Sequence, residues 1–304
     1  MPRSGIMEGR MKKTERKKLC RICLCIILLS VGCLGVLSGC GALPQSDTVE
    51  EMPENPGIRV TFFDVGKGDA ILIETENHCM LIDSGYDDTA GVILGYLERE
   101  DIDRLDYMLI THFDKDHVGG ADRVLEAVEV GEVLQPDYES EAKQYREYME
   151  TMEEGKIRLR LVTETLRLSL DEAELLVYPP QHRDYKEEDN DFSLVVSMRY
   201  GEKSFLFAGD SERERLEELL GQQEFPLAHD ILKVPHHGRA EKNSEEFFQA
   251  VMPETAVITC SKDKLPDREV LLLLEQLGTK IYLTTEGSLT FFCNGKKLEI
   301  LQQQ

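Results

Sequence analysis

From Ile58 onward the chain alternates short apolar runs with amphipathic stretches, and Gly, Pro and Asn punctuate the joints. "IRVTFFDV" (58–65), "AILIET" (70–75) and "HCMLIDSG" (78–85) have strand length and tight Gly- or Asn-containing turns between them, which predicts three consecutive strands. "DTAGVILGYLER" (88–99) spaces its apolar residues for one helix face, and "YMLIT" (107–111) is a short apolar strand. Residues 140–155 are polar and charged and predict a helix, expected to be a solvated surface insertion. In the second half "AELLVYP" (173–179), "SLVVSMRY" (193–200), "KSFLFAGD" (203–210) and "DILKVPHHG" (230–238) predict strands. "SERERLEELL" (211–220) predicts a helix whose acidic first turn suits the helix dipole. "SEEFFQAVM" and "DREVLLLLEQLG" predict helices around a strand "TAVIT" (255–259), and "KIYLTTE", "SLTFFC" and "KLEI" close the chain as strands. This mixture suggests an α/β fold of two packed sheets covered by helices, one domain over residues 58–301.

The first 40 residues follow a different pattern. The basic stretch "MKKTERKK" (11–18) precedes a 17-residue apolar run, "ICLCIILLSVGCLGVLS" (22–38), and the segment ends in "LSGC" (37–40). A basic flank, an apolar stretch and small residues before a cleavage point describe an export signal. The tetrapeptide resembles the bacterial lipobox, and by that resemblance Cys40 is the lipidated first residue of the mature protein. The run also falls within the roughly 17 to 25 residues of a single membrane-spanning helix. Either arrangement keeps the basic flank inside and puts residues 41–304 on the outer face of the cytoplasmic membrane. Residues 41–57 are polar, Pro-containing and aperiodic, and are expected to be a tether.

Charge and cysteine usage sharpen once this segment is set apart. The chain holds 35 Lys and Arg against 58 Asp and Glu, a formal net charge of −23; residues 1–39 carry eight of the basic and two of the acidic residues, leaving −29 on the remainder. Such a surface does not hold polyanions through a general basic patch, so cations inside the site must draw an anionic substrate. Of the cysteines beyond position 40, Cys79, Cys260 and Cys293 match neither a disulfide framework nor a zinc knuckle. They are expected to be small core residues.

Metal-binding side chains gather where the apolar runs stop. "LIDSG" ends at Asp83, "LITHFDKDH" at His112, Asp114, Asp116 and His117, "FLFAGD" at Asp210, and "LKVPHHG" at His236 and His237. Strands of a core place such groups on one rim of a rigid scaffold. His112 and Asp114 are two apart, so on an extended segment they point the same way. Imidazole suits Zn, Mn or Fe, and carboxylate suits harder ions and bridges two, which makes Asp210 a candidate bridge. Asp210 also stands where the N-cap of the following helix falls. His78 and His229 have no such partners and are expected to be structural.

Taken in order, these segments carry a family resemblance. "THFDKDHVGG" (111–120) resembles the metal-binding signature of the metallo-β-lactamase fold, in its H-x-D-x-D-H form. With "FFDVGKGDAILI" (62–73), "LIDSG", "NDFSLVVSMRYGEKSFLFAGD" (190–210) and "LKVPHHG", it resembles the hydrolase domain of the DNA-uptake channel protein ComEC and its stand-alone relatives over about 240 residues. The resemblance implies an αββα sandwich, two mixed sheets flanked by helices, with two divalent ions, Zn or Mn, at one edge. His112 and Asp114 would serve one ion, Asp116, His117 and His237 the other, and Asp210 would bridge; Asp116 and Asp210 are the expected catalytic carboxylates. Asp83 would hold the surrounding loops by hydrogen bonds, and Asp64 and Asp69 would do similar work in the loop where Gly66 and Gly68 permit the turn. Asn190, Ser193 and His236 would lie beside the site. The chain departs from the family at three places. His182 is the one His between the second motif and Asp210, in a loop-like setting; Leu265 takes the place of a His beside Pro266; and Lys67 stands where relatives carry Gln.

The expected chemistry is metal-dependent hydrolysis by a metal-activated hydroxide. By the resemblance the substrate is a phosphodiester, either DNA or a phosphodiester of the cell envelope. Two other readings stay open. One is lactonase or β-lactamase-like hydrolysis, which normally needs an imidazole where Asp114 stands. The other is a metal-binding surface module of weak activity, suggested by Leu265 and the missing third-motif His.

Overall fold

Strand burial on two faces explains the near-continuous apolar runs. A computed structural model of the chain describes residues 57–186 and 188–303. The expected export signal (1–40), with Cys40, and residues 41–56 of the tether lie outside the described residues. The described residues all belong to one compact unit. No helix among the described residues is long and apolar enough to cross a membrane.

The first sheet orders β15 (Leu298–Gln302), β14 (Leu289–Cys293), β1 (Ile58–Phe62), β2 (Ile71–Glu74), β3 (Cys79–Ile82), β4 (Arg104–Leu109), β5 (Glu129–Pro136) and β6 (Leu159–Val162). The second orders β13 (Lys280–Leu283), β12 (Thr255–Ile258), β11 (Ile231–Lys233), β10 (Lys203–Phe207), β9 (Val195–Tyr200), β8 (Ala173–Tyr178) and β7 (Leu166–Leu170). Strands β3 to β6 run parallel, as do β10 to β13. Parallel neighbours need a crossover, usually a helix. Helices α1 (Ala90–Arg99), α2 (Ala121–Ala127) and α3 (Lys143–Gly155) supply it in the first sheet. The single turn α4 (Glu188–Asp191) precedes β9, and α5 (Arg213–Gly221), α6 (Ser244–Val251) and α7 (Arg268–Gln276) supply the crossovers of the second sheet.

Alternate residues of each strand face opposite ways. Val60, Phe62, Ile71, Ile73, Met80 and Ile82 of the first sheet meet Val196, Met198, Phe205, Phe207 and Val257 of the second in one buried cluster. Phe291 lies edge-on to Phe62 at 5.6 Å and to Phe205 at 5.8 Å, so the rings interlock across the sheets. Burying each such side chain contributes about 1.5–3 kcal/mol. The opposite faces carry Leu72 and Leu81 against Ile93 and Leu97 of α1, and Leu206 and Leu232 against Leu216 of α5 and Phe247 of α6. The layers therefore run helix, sheet, sheet, helix, as the αββα expectation required.

Helix α3 is a correction. It buries Tyr145, Tyr148 and Met152, and Tyr148 Oη donates to Gln135 Oε1 of β5 at 2.6 Å. It is a layer of the fold with a charged outer face, not a solvated insertion. Strands β5, β6 and β7 and helix α2 were not anticipated. Cys260 and Cys293 are buried thiols and Cys79 is half-buried, and no disulfide joins any of the three among the described residues.

Candidate metal centre

Both sheets bring the carboxyl ends of parallel strands to one edge. Asp83 follows β3, His112 follows β4, Asp210 follows β10, His237 follows β11, and Thr259 follows β12. The edge is stitched across the sheets by Leu194 N–H donating to Thr111 O at 2.9 Å and by Thr259 Oγ1 donating to Asp69 Oδ1 at 2.6 Å.

Three imidazoles are held by the same ring atom. His117 Nδ1 donates to Asp83 Oδ2 at 2.8 Å. His237 Nδ1 donates to Thr259 O at 2.9 Å. The Thr111 hydroxyl donates to Asp83 Oδ2 at 2.7 Å, which leaves its oxygen to accept from His112 Nδ1 at 3.0 Å. Each ring thus presents Nε2 to the site. His117 Nε2 and His237 Nε2 lie 3.4 Å apart, and Asp210 Oδ2 is 3.3 Å from the first and 2.9 Å from the second. Nε2 of His112 is buried without a hydrogen-bond partner.

This donor set fits divalent ions. Side-chain donors of His112, His117 and Asp210 lie within 4.8 Å of one another, as do those of Asp116, His117 and His237, and of Asp69, Asp83 and His117. An orphaned buried nitrogen costs free energy that a ligated cation removes. Burial and the nearby His117 charge hold His112 well below the ordinary imidazole range, so its ring is neutral. Burial alone would lower His117, but Asp210 and Asp83 outweigh it and draw a proton strongly. Burial likewise would raise Asp116, yet the hydrogen bond from His237 and the charges of His117 and Lys67 hold it well below the usual carboxylate range. The carboxylates that pull protons onto these rings exert the same pull on a metal cation.

The other expected residues divide. Asp114 is 42% exposed, and its Oδ2 is 4.0 Å from His112 Nε2, so it stands at the rim while His117 joins His112 and Asp210 in a common cluster. Asp69 and Asp83 are buried supports. Asp64 is exposed in its turn, where it accepts the Gly66 N–H at 3.3 Å and so holds that loop. Ser193 Oγ accepts the Asp210 N–H at 3.0 Å. Asn190 and His236 instead meet at Glu212: Asn190 Nδ2 donates to Glu212 Oε1 at 2.7 Å, and His236 Nδ1 lies 3.0 Å from the same oxygen. His182 is exposed on its loop, away from the cluster. His229 is structural: Ser197 Oγ donates to Nε2 at 2.7 Å, and Nδ1 donates to Leu227 O at 3.0 Å. The N-cap of α5 is Glu212, and the Asp191 carboxylate accepts the Glu212 and Arg215 N–H groups, leaving Asp210 free to face the site.

Three of the seven non-glycine residues with left-handed φ among the described residues lie here. Asp83, His236 and His237 have φ of 56°, 45° and 53°, left-handed values that cost non-glycine residues about 1–3 kcal/mol. Gly66 has φ +80°, as the turn requires, whereas Gly68 serves close approach: a Cβ there would fall 2.5 Å from Asp116 O.

Two functional neighbours escape a sequence reading. Lys233 is fully buried, 2.5 Å from Asp69 Oδ2 and 3.3 Å from Asp210 Oδ1, and donates to Gly209 O at 2.9 Å. A lysine interrupting an apolar strand was its signal. Tyr86 is half-buried, and burial with the Asp116 charge pushes its phenol up to about 12; it had no signal beyond following "LIDSG".

Comparisons with known proteins identify the family. Residues 63–261, well over half the chain, match the Metallo-beta-lactamase superfamily. The chain belongs to that superfamily, whose members are generally metal-dependent hydrolases and whose fold typically binds divalent metals. Among curated proteins it is 28% identical over 251 residues to ComE operon protein 3 of Bacillus subtilis, covering 75% of this chain and 32% of that one. It is also 28% identical over 248 residues to Competence protein ComA of Neisseria gonorrhoeae, covering 80% and 33%. The chain therefore spans about a third of these ComEC-like relatives. Among solved structures, CmlA, a diiron β-hydroxylase from Streptomyces venezuelae, has the same fold at TM-score 0.50 and 17% identity, covering 83% of this chain and 55% of that one.

Proposed function

We propose that the protein is an exported, membrane-anchored phosphodiesterase that uses two divalent ions, Zn or Mn, at this edge. The observation that carries the reading is the pair of overlapping donor clusters, His112–His117–Asp210 and Asp116–His117–His237, which share His117. When bound, such ions lower the pKa of a water and neutralise charge on a phosphoryl oxygen. The residues of the chain do the rest. Asp83 and Thr259 fix the rings of His117 and His237, so no reorganisation is needed as charge develops. Asp116, only 4% exposed, accepts the proton of the attacking water. A carboxylate-rich set with Asp114 at the rim favours displacement at phosphorus over opening of a lactam or lactone.

The likeness to competence proteins supports DNA or a phosphodiester of the cell envelope as substrate. A net charge of −23 disfavours tight nonspecific binding of long duplex DNA. The lipobox-like "LSGC" supports a lipid on Cys40 and display outside the cytoplasmic membrane. A Cys40→Ser variant that leaves the membrane fraction would support the lipid anchor, and one that stays would favour a retained helix.

The test is hydrolysis of bis-p-nitrophenyl phosphate and single-stranded DNA by the full-length protein with Mn²⁺ or Zn²⁺. Turnover should fall at least about 100-fold in an Asp116→Ala/His117→Ala double variant. Metal binding without cleavage of any phosphodiester would sink the proposal.

A further inference from the structure

The site is crowded with carboxylates, yet one of them holds a partly exposed ammonium. Lys67 Nζ lies 2.7 Å from Asp116 Oδ2. The Lys67 side chain is 25% exposed, so it reaches both the site and solvent. Lys233, also in contact with the cluster, is fully buried and engaged by Asp69, Asp210 and Gly209 O. It has nothing to offer a substrate.

A donor that already holds a carboxylate oxygen defines a position for an anionic oxygen. We propose that Lys67 clamps a non-bridging oxygen of a phosphodiester, and that this clamp selects anionic substrates at a site on an acidic protein. The inference rests on the phosphodiesterase reading and deepens it. With Asp116 engaged by a metal ion, the Lys67 ammonium would lose its carboxylate partner and face the incoming anion. A charge-assisted bond from Lys67 supplies the grip.

The experiment uses the full-length, metal-loaded protein and dimethyl phosphate, a phosphodiester that is barely hydrolysed, with binding measured by calorimetry. Lys67→Gln should weaken binding by roughly 10- to 100-fold, and Lys67→Arg should restore most of it. Metal content should stay at the parental value in both variants. In parallel, Lys67→Gln should raise KM for bis-p-nitrophenyl phosphate more than it lowers kcat. Binding by Lys67→Gln within two-fold of the parent (on the order of experimental scatter) would overturn the clamp, as would loss of metal in that variant. Lys67-dependent binding without turnover by the parent would uphold the clamp while overturning the phosphodiesterase reading.

Discussion

His117 Nδ1 lies 2.8 Å from Asp83 Oδ2, and Thr111 closes the same carboxylate from its other side with its N–H and its hydroxyl, each at 2.7 Å. One buried acid thereby sets the direction of the imidazole that both donor clusters share. Its left-handed φ of 56° is the local cost of that placement. Asp83→Asn keeps shape and tolerates the left-handed backbone, but it loses one of the acceptors that orient His117 and Thr111. Metal affinity should drop by about 10- to 100-fold with the fold retained. Competition against a chelator, with circular dichroism as the check on folding, reads both.

Burial of His229 makes stability depend on pH. Desolvation pushes its imidazole down to about 4, against about 6.5 in the unfolded chain. Between those values the unfolded state binds more protons, so the contribution is complete above pH 6.5 and is lost as pH falls toward 4. The total is about 3 kcal/mol. Burial also raises Asp191, up to about 6, and its slope is the opposite: stability falls as pH rises from its unfolded value to 6. The two offset in the parent protein. The stability difference between parent and His229→Gln should therefore grow by about 3 kcal/mol from pH 4 to pH 7 in denaturant titrations. A constant difference would refute the assignment.

Arg215 is fully buried in α5 and ties three elements together. Its guanidinium donates to Ser193 O at 3.2 Å, to Tyr178 O at 2.7 Å and to Glu218 at 2.5 Å. Arg215→Met leaves those acceptors and a buried carboxylate without their cation, at a cost of about 3–5 kcal/mol. Arg213, half exposed and paired with Glu217 at 3.1 Å, is the control. Its replacement by Met should cost under about 1 kcal/mol. Chemical denaturation of the two variants checks the contrast. Because Ser193 accepts from Asp210 N–H, Arg215→Met should also weaken metal retention.

Much of this was legible in the chain because strands buried on both faces leave apolar runs with abrupt ends. Runs such as "FLFAGD" and "LITHFDKDH" exposed their terminal ligands for that reason. Helix α3 was misread because Tyr145, Tyr148 and Met152 are outnumbered by charged residues, although their spacing marks one face. In β6 and β7, "LRLV" and "LRLSL" alternate Leu with Arg or Ser, a period-two signal that was available and passed over. The pairing of Lys67 with Asp116, 49 residues apart, has no local signature. Nor does the capping of α5 by Asp191, since the acid is supplied by the last residue of α4, which only the packing of α4 brings near. Asp64 was expected to hold its loop by hydrogen bonds, and it accepts the Gly66 N–H from an exposed position in the turn.

The most direct test of the two-ion site is a count of bound metal. Full-length protein loaded with Mn²⁺ or Zn²⁺, freed of excess and analysed by mass spectrometry of the metal, should retain two ions per chain. His112→Ala, which removes the orphaned Nε2 of one cluster, should retain one. A parent protein that keeps one ion or none, or a His112→Ala variant that still keeps two, would contradict it.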